Sequence, residues 1–271
     1  MTWVTVKIGD LGKVITGNTP PKKNPEFYGD AYKFIKPTDM NIGERFTPET
    51  EEYYSAVAYE KYRKSLIPSK STCVVTIGSI GKKMTMTNEE CFVNQAVNAI
   101  IPNKNYNPFF VYYSIKNILL KVKKADTGAS SGRENVSKSN FMSLTIKSPK
   151  CLQTQTQIAN ILCSYDDLIE NNLKRIKLLE QAAQNIYKEW FVNRRFPDNE
   201  NTPIEQETGL PEGWEEKTVG DYVKIISKGP SLNYEVEKGF PVINQSCIRN
   251  GEIELEKIRI AAELKENKHY C

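Results

Sequence analysis

The stretch TQTQIANILCSYDDLIENNLKRIKLLEQAAQNIYKEWFVN, residues 154–193, decides the organisation of this sequence. It contains neither glycine nor proline, the two residues that interrupt helices most strongly. Apolar side chains recur in it at alternating steps of three and four, which places them along one side of a helix. The stretch therefore predicts a single long helix with one apolar side.

This apolar side follows the a and d positions of a coiled coil for about four heptads. At ~1.5 Å per residue the helix is roughly 55–60 Å long, more than one small domain covers, so we expect it to pair with a second helix. Asn172 adds a polar group that would fix the pairing register if buried; alternatively Leu173 takes its place and Asn172 is solvated. The predicted pairing residues, called the helix seam below, are Leu162, Tyr165, Ile169, Asn172, Ile176, Leu179, Ala183, Ile186 and Trp190.

The sequence before this helix, residues 3–150, predicts a domain of mixed α/β type, in the α+β class. Asn107-Pro108 precedes an apolar pattern over 109–124 that is typical of a helix, with lysines gathered at its end. Runs rich in β-branched residues and bounded by Gly, Pro or Asn indicate strands. Such runs lie at 73–77, 96–101 and 144–146.

The sequence after the helix resembles the start of the chain. Phe196-Pro197 and an acidic stretch that follows it indicate that the helix stops and a linker begins. Trp3 and Gly9-Asp10 then recur as Trp214 and Gly220-Asp221. Residues 241–252 similarly resemble residues 33–44. This similarity predicts an internal repeat of a domain. The predicted parts are a first domain over 1–152, the helix over 153–196, a linker over 197–212 and a partial second domain over 213–271.

Charge is distributed unevenly along the chain. The net charge is +4, but residues 1–150 hold 22 Lys and Arg against 13 Asp and Glu, whereas residues 151–271 hold 15 against 20. A basic domain attached to an acidic remainder indicates a surface for a polyanion on the first domain only.

Three polar loops of the basic half contain glycine and lie at 16–23, 78–83 and 127–138. Lysine neutralises phosphates, while Asn, Gln and Arg can pair with the edges of bases, so these loops predict contacts to double-stranded DNA. Each loop taken alone is more typical of an ordinary solvated turn, and only their joint occurrence in the basic half favours DNA contact. The candidate DNA-binding residues are Thr16, Asn18, Thr19, Lys22, Lys23, Lys82, Lys83, Arg133, Asn135 and Lys138.

Catalytic and metal-binding patterns are weak in this sequence. The glycines of Gly78-Ser79-Ile80-Gly81-Lys82-Lys83 are too close for a phosphate loop, and Asn107-Pro108-Phe109-Phe110 lacks the second proline of the amino-methyltransferase motif. Glu263-Leu264-Lys265 has no suitably placed Asp for a Mg²⁺ nuclease, and His269 is the only histidine. We therefore expect no catalytic, cofactor-binding or metal site.

The cellular setting follows from the same composition. The chain has neither a signal-peptide pattern nor a run of about 20 apolar residues, which predicts a cytoplasmic protein without membrane contact. Its six cysteines are far apart and form no C-x-x-C pair. Reduced, partly buried thiols are therefore expected.

The helix and the repeat together resemble a known family. Gln157 to Leu162, Tyr165 to Asn172 and Leu179 to Val192 resemble the conserved spacer helix of type I restriction-modification specificity subunits. The domain openings at Trp3 and Trp214 and the loop Ile15 to Pro20 resemble the starts of that family's target recognition domains.

The resemblance implies a DNA-sequence-specificity subunit without catalytic activity. Each recognition domain would read one half of a split DNA site, and an antiparallel helix pair would set the distance between the halves. Catalysis would belong to partners: modification subunits that use S-adenosylmethionine, and restriction subunits that use ATP and Mg²⁺. The alternative is a structural protein that dimerises through its helix and binds another protein.

The sequence departs from the family pattern in its second half. The second recognition domain is incomplete, and the second spacer helix is absent from the sequence. We therefore predict that another copy of the chain covers the helix seam, giving a two-fold dimer with antiparallel helices.

Overall fold

The structure is a computed structural model that describes residues 2–125, 134–226, 228–229, 232, 234, 239–249 and 251–262. It divides into two compact units, Met1–Lys188 and Glu189–Cys271. The mixed α/β class and the long helix predicted from the sequence are both confirmed. The finer division into four parts stays a prediction.

The strands and helices of the described residues alternate along the first unit and become short in the second. The strands are β1 Trp3–Lys7, β2 Gly12–Thr16, β3 Tyr28–Gly29, β4 Tyr32–Ile35, β5 Glu52–Tyr54, β6 Thr72–Val75, β7 Met84–Met86, β8 Cys91–Val93, β9 Val97–Pro102, β10 Thr145–Pro149, β11 Phe240–Val242, β12 Ile248–Arg249, β13 Glu252–Ile253 and β14 Arg259–Ala261. The α-helices are α1 Ile8–Leu11, α2 Ala56–Tyr62, α3 Pro108–Asn117, α4 Leu119–Lys124, α5 Lys138–Ser143 and α6 Leu152–Tyr187.

Two four-stranded sheets form the body of the first unit. The first has the order β2-β9-β6-β7 and is antiparallel throughout. The second has the order β3-β5-β4-β8, with β4 and β8 parallel. β1 and β10 pair separately as an antiparallel ribbon, so the chain returns to its start just before α6 begins.

The core of the first unit lies between these sheets and the helices beside them. Strands β6, β7 and β8 are buried along their whole length, as expected of strands covered on both faces. The predicted helix over 109–124 is divided into α3 and α4 at Ile118, whose side chain is buried in the core. Asn107 caps α3, since its side-chain oxygen accepts hydrogen bonds from the backbone N–H groups of Phe109 and Phe110.

The long helix α6 confirms the prediction made from its sequence. It runs from Leu152 to Tyr187 and continues as a π-helical turn over Lys188–Val192. Gln155 and Ala159 are its buried residues and lie in its first two turns. Residues 171–187 are all exposed, so this part of the helix is stabilised within the chain mainly by its own hydrogen bonds.

The second unit reproduces parts of the first. Its 3-10 turn Val219–Asp221 corresponds to α1, and its pair β11-β14 corresponds to the pair β4-β5. The backbone hydrogen bond from the N–H of Cys247 to the oxygen of Asn244 repeats the one from Asp39 to Lys36. These local features correspond between the two units, while the repeat of a whole domain stays a prediction.

Candidate nucleic-acid interface

A basic groove of about 470 Å³ opens on the first unit beside strand β2. Four lysines line it, and no carboxylate does. Within the described part of the chain none of these lysines forms an ion pair. The groove is therefore a concentration of positive charge available to an anion. Its lining residues are Lys13, Val14, Ile15, Thr16, Asn18, Lys61, Tyr62, Lys64, Ser65 and Lys138, which we call the basic groove.

Local structure brings these lysines together from separate segments. Lys13 lies on β2, which pairs with β9 along its whole length. Lys61 lies at the end of α2, which Ser55 caps by accepting a hydrogen bond from the N–H of Ala58. Lys64 follows in a 3-10 turn, and Lys138 is the first residue of α5. Separate structured segments thus fix the position of the positive charge.

Asn18 lies in this groove with an incompletely used amide. Its Oδ1 accepts a hydrogen bond of 2.9 Å from the hydroxyl of Ser65, and its backbone oxygen accepts one from the hydroxyl of Tyr54. Its Nδ2 is buried and has no partner among the described residues. A buried donor without a partner costs about 1–3 kcal/mol, which makes this atom a candidate for binding a ligand oxygen or nitrogen.

A second polar cluster lies next to Asn18. The amide of Asn94 donates a 2.8 Å hydrogen bond to the hydroxyl of Thr19, and that hydroxyl donates to Oε1 of Gln95. Gln95 is exposed and lies in the turn between β8 and β9. Since Gln and Asn amides pair with adenine, this cluster has the chemistry of a base reader.

The predicted loop over 78–83 and the described part of the loop over 127–138 contact each other through backbone hydrogen bonds. The N–H of Gly78 donates to the oxygen of Glu134, and Ile77 forms an isolated bridge with Asn135. Lys82 is exposed, whereas the ammonium of Lys83 donates to the backbone oxygen of Pro37 at 2.8 Å. The loops over 78–83 and 134–138 are thus neighbours.

The predicted DNA-binding residues therefore divide into groups. Thr16, Asn18 and Lys138 share the basic groove, and Thr19 joins the amide cluster beside it. Lys22 and Lys23 are exposed in the turn that follows. Arg133 lies outside the described residues. The structure does not test which of these residues contact DNA.

The sequence reading missed three lysines and two amides of this surface. Lys13, Lys61 and Lys64 line the groove although they belong to no glycine-containing loop. The spacing of Lys61, Arg63 and Lys64 immediately after a helix was the signal available in the sequence. Asn94-Gln95, a pair of amides between two strands, was the signal for the second cluster.

A buried arginine joins the recognition unit to the helix. Arg45 is 5% exposed, and its guanidinium pairs with Asp167 and, at 3.1 Å, with Glu170 of α6. Burial acts to lower the pKa of Arg45, but the hydrogen bonds that its guanidinium donates to Asp167 and Glu170 outweigh it and raise the pKa, so the side chain stays charged. The guanidinium also lies 4.6 Å from the centre of the Phe46 ring.

Gln155 makes a second attachment in the first turn of the helix. Its Oε1 accepts a 2.9 Å hydrogen bond from the N–H of Asn107, and its Nε2 donates to the oxygen of Pro149 at 3.0 Å. Farther along, the hydroxyl of Tyr113 donates to Asp166 at 2.9 Å. These contacts fix the first part of α6 on the domain, which we call the helix root, Leu152 to Glu170.

The helix seam is exposed to solvent in this chain. Tyr165, Ile169, Ile176, Leu179 and Ile186 are each more than half exposed, and every residue from 171 to 188 is exposed. Asn172 and Ala183 are exposed as well, while Leu162 and Trp190 are less so, at 37% and 39%. Such a long apolar row on one helix is typical of an interface without its partner.

Other kinds of site find little support in the described part of the chain. No cluster of His, Cys, Asp and Glu there could hold a metal ion. None of its helices combines the length and the hydropathy needed to cross a bilayer. Cys73 and Cys91 are buried thiols, and burial raises the pKa of Cys91 to about 12.

Comparison with known proteins gives relatives of one kind. The MjaIX specificity subunit of a type I restriction enzyme from Methanocaldococcus jannaschii is 28% identical over 86% of this chain and 54% of that protein. The HindI specificity subunit from Haemophilus influenzae is 31% identical over 66% of this chain and 39% of that protein. The chain thus spans about half the length, or less, of these relatives.

A solved structure shares the fold. The crystal structure of the type I restriction-modification S subunit from M. genitalium matches with a TM-score of 0.55 at 16% identity, over 70% of this chain and 46% of that one. The type I restriction modification DNA specificity domain matches residues 1–181, which include the basic groove and most of the helix seam. The chain belongs to the family of type I restriction-modification DNA specificity domains.

Proposed function

We propose that this chain is a non-catalytic DNA-specificity subunit whose first unit reads one half of a split DNA site. The observation that carries the proposal is the basic groove, in a member of this family, with four lysines that form no ion pair among the described residues and an Asn18 Nδ2 that has no hydrogen-bond partner among them. Lysines can neutralise the phosphates along one strand, and the amides of Asn18 and Gln95 can face acceptors and donors on base edges.

The helix supplies the second half of this function. The helix root is fixed to the recognition unit by Arg45 and Gln155, whereas the part of the helix seam from Asn172 onward is exposed to solvent. A rigid rod fixed at one end sets the distance and direction of a second recognition domain. The proposed partner for the seam is another copy of the chain, paired antiparallel about a two-fold axis.

Catalysis belongs to other subunits in this proposal. A modification subunit would use S-adenosylmethionine to methylate adenine, and a restriction subunit would use ATP and Mg²⁺. The names of the relatives, specificity subunits of type I restriction enzymes, support this division of labour. The chain itself would recognise the DNA sequence to which these subunits are directed.

The alternative is a dimerising interaction protein without DNA binding. Salt dependence separates the two, because each phosphate contact releases about one counterion and adds about one to the slope of log K against log salt. We expect Lys61→Gln with Lys64→Gln to reduce that slope by about two. The matched control is Lys174→Gln with Lys177→Gln on the exposed helix, which removes two charges outside the groove.

The DNA target sequence can be measured in the assembled complex. Coexpression with a modification subunit from a related system, followed by mapping of methylated adenines, should return one split sequence. A palindromic sequence is expected for a dimer of this chain. Binding with no salt dependence, or no methylation at defined sites, would contradict the proposed function.

A further inference from the structure

The amide cluster beside the basic groove lies on a tight turn between β8 and β9. Residues 94–97 form this turn, since the N–H of Val97 donates to the oxygen of Asn94 at 2.9 Å. The N–H of Asn94 donates to the oxygen of Ile35 at 3.0 Å, which attaches the turn to the end of β4. Gln95 is therefore an exposed side chain on a backbone that is held from both sides.

Thr19 reaches this turn because two backbones approach each other closely. The N–H of Gly17 donates to the oxygen of Val97 at 3.0 Å. A Cβ at Gly17 would lie 2.1 Å from the oxygen of Val93, so only glycine permits this approach. Thr19 follows two residues later and is thus held against the turn by structured backbone.

The hydrogen bonds of the cluster run in one direction, which a backbone donor determines. The N–H of Ala96 can only donate, and it donates to Oδ1 of Asn94 at 2.8 Å. The Nδ2 of Asn94 therefore faces the hydroxyl of Thr19 and donates to it at 2.8 Å. A hydroxyl has one hydrogen, and Thr19 donates it to Oε1 of Gln95.

This direction determines what the Gln95 amide offers to a ligand. Its Oε1 is engaged by Thr19, whereas its Nε2 carries two N–H groups that have no partner among the described residues. The exposed group of the cluster is thus a hydrogen-bond donor.

We propose that Gln95 is a specificity-determining residue that reads guanine, and that Thr19 is the positioning residue that orients its amide. The inference rests on the proposed function and names the base that this part of the recognition unit contacts. In the major groove guanine offers two acceptors, O6 and N7, whereas adenine offers one acceptor and one donor. Pairing with adenine would use Oε1 as well, and Thr19 competes for that atom.

The position of the cluster suits a contact to a base. Thr19 follows Asn18, which lines the basic groove, so the cluster lies at the edge of the positively charged surface. Lysines that hold phosphates fix the register of a duplex but carry no sequence information. Gln95 is uncharged and exposed, and its N–H donors supply the selectivity that lysines lack.

Selection from a pool of randomised DNA duplexes by the full chain tests this assignment. We expect Gln95→Ala to lose about tenfold discrimination at one base pair of the selected half-site, where the unsubstituted protein takes guanine. The other base pairs should be selected as before. Gln157→Ala, which truncates an exposed glutamine on the helix root, is the matched control and should leave every position unchanged.

Variants of Thr19 separate a positioning role from a structural one. Thr19→Val removes the hydroxyl and keeps the side-chain volume, so Oε1 is released and adenine becomes acceptable at the same base pair. We expect the preference for guanine over adenine there to fall about tenfold, whereas Thr19→Ser should retain it. A folding defect would weaken binding to all sequences without changing one base pair, and Gln95→Ala would then decide the inference.

The contact itself can be measured with a modified base. Replacing the selected guanine by 7-deazaguanine removes the N7 acceptor, and we expect roughly fivefold weaker binding by the unsubstituted protein and no change for Gln95→Ala. Adenine or thymine at that base pair, or an unchanged base preference in Gln95→Ala, would overturn this inference and leave salt-dependent DNA binding intact. A pool from which the full chain selects no sequence would overturn the proposed function together with it.

Discussion

The two parts of helix α6 differ in what stabilises them. The helix root is held by Arg45 and Gln155 and by the hydroxyl of Tyr113, whereas every residue from 171 to 188 is exposed. Both parts have ordinary helix-forming sequences, so intrinsic propensity does not distinguish them. The root is therefore fixed by contacts within this chain. The apolar residues of the outer part are exposed here and would be buried only by a partner.

The strongest test of this contrast is a charge at the centre of the outer part. Ile176→Asp would place a carboxylate on the helix seam of both copies in the proposed dimer, so the charge would occur twice in one interface. We expect self-association to weaken by at least ~100-fold, measured by sedimentation equilibrium. Gln181→Asp, on the outward side of the same helix, should have little effect, and equal weakening by both would argue against a seam interface.

The root should respond to a different substitution. Gln155→Ala removes the partners of the N–H of Asn107, a half-buried residue, and of the oxygen of Pro149, a buried one. We expect the free energy of unfolding of the first unit to fall by about 2–3 kcal/mol. Hydrogen exchange of the β9 amides during urea titration measures this unit alone, and the exposed Gln157→Ala is the control.

Arg45 tests the same attachment through charge. Arg45→Met keeps much of the side-chain volume but leaves Asp167 and Glu170 without their cation. Because Asp167 is largely exposed, we expect a loss of only about 1–2 kcal/mol in the stability of the first unit. Arg175→Met, in the outer part, should leave that stability unchanged; a loss of equal size would mean that the attachment is not specific to the root.

The smallest expected effect concerns the outer backbone. Ala182→Gly lowers helix propensity by about 1 kcal/mol at an exposed position. In a dimer the cost should appear as weaker association, because the outer part is ordered by pairing, and not as a less stable first unit. A change confined to β9 hydrogen exchange would contradict this account of the helix.

The sequence predicted the regular parts of the fold well, for physical reasons visible in single residues. The absence of Gly and Pro from 154–193 and the row from Leu162 to Trp190 determine a helix whatever surrounds it. The division of the helix over 109–124 at Ile118 was not predicted, since neither Gly nor Pro marks it. That break accompanies burial of Ile118, which depends on tertiary packing.

The candidate site was predicted only in part. Thr16, Asn18 and Lys138 were identified because they lie in polar loops, but the groove that joins them to Lys13, Lys61 and Lys64 is formed by segments far apart in sequence. The pairing of Arg45 with Asp167 also spans 122 residues, and no local pattern indicates it. Contacts of this kind become visible only once the fold brings the segments together.

The location of the Arg45 attachment has a consequence for chimeric proteins. The cation comes from a loop of the recognition unit, and its carboxylates come from the helix. A recognition unit grafted from another protein onto this helix would keep the orientation of its DNA-facing groove only if it brought a cation to the same place. Exchange of such units between chains would therefore be limited by this buried ion pair as well as by the residues that contact DNA.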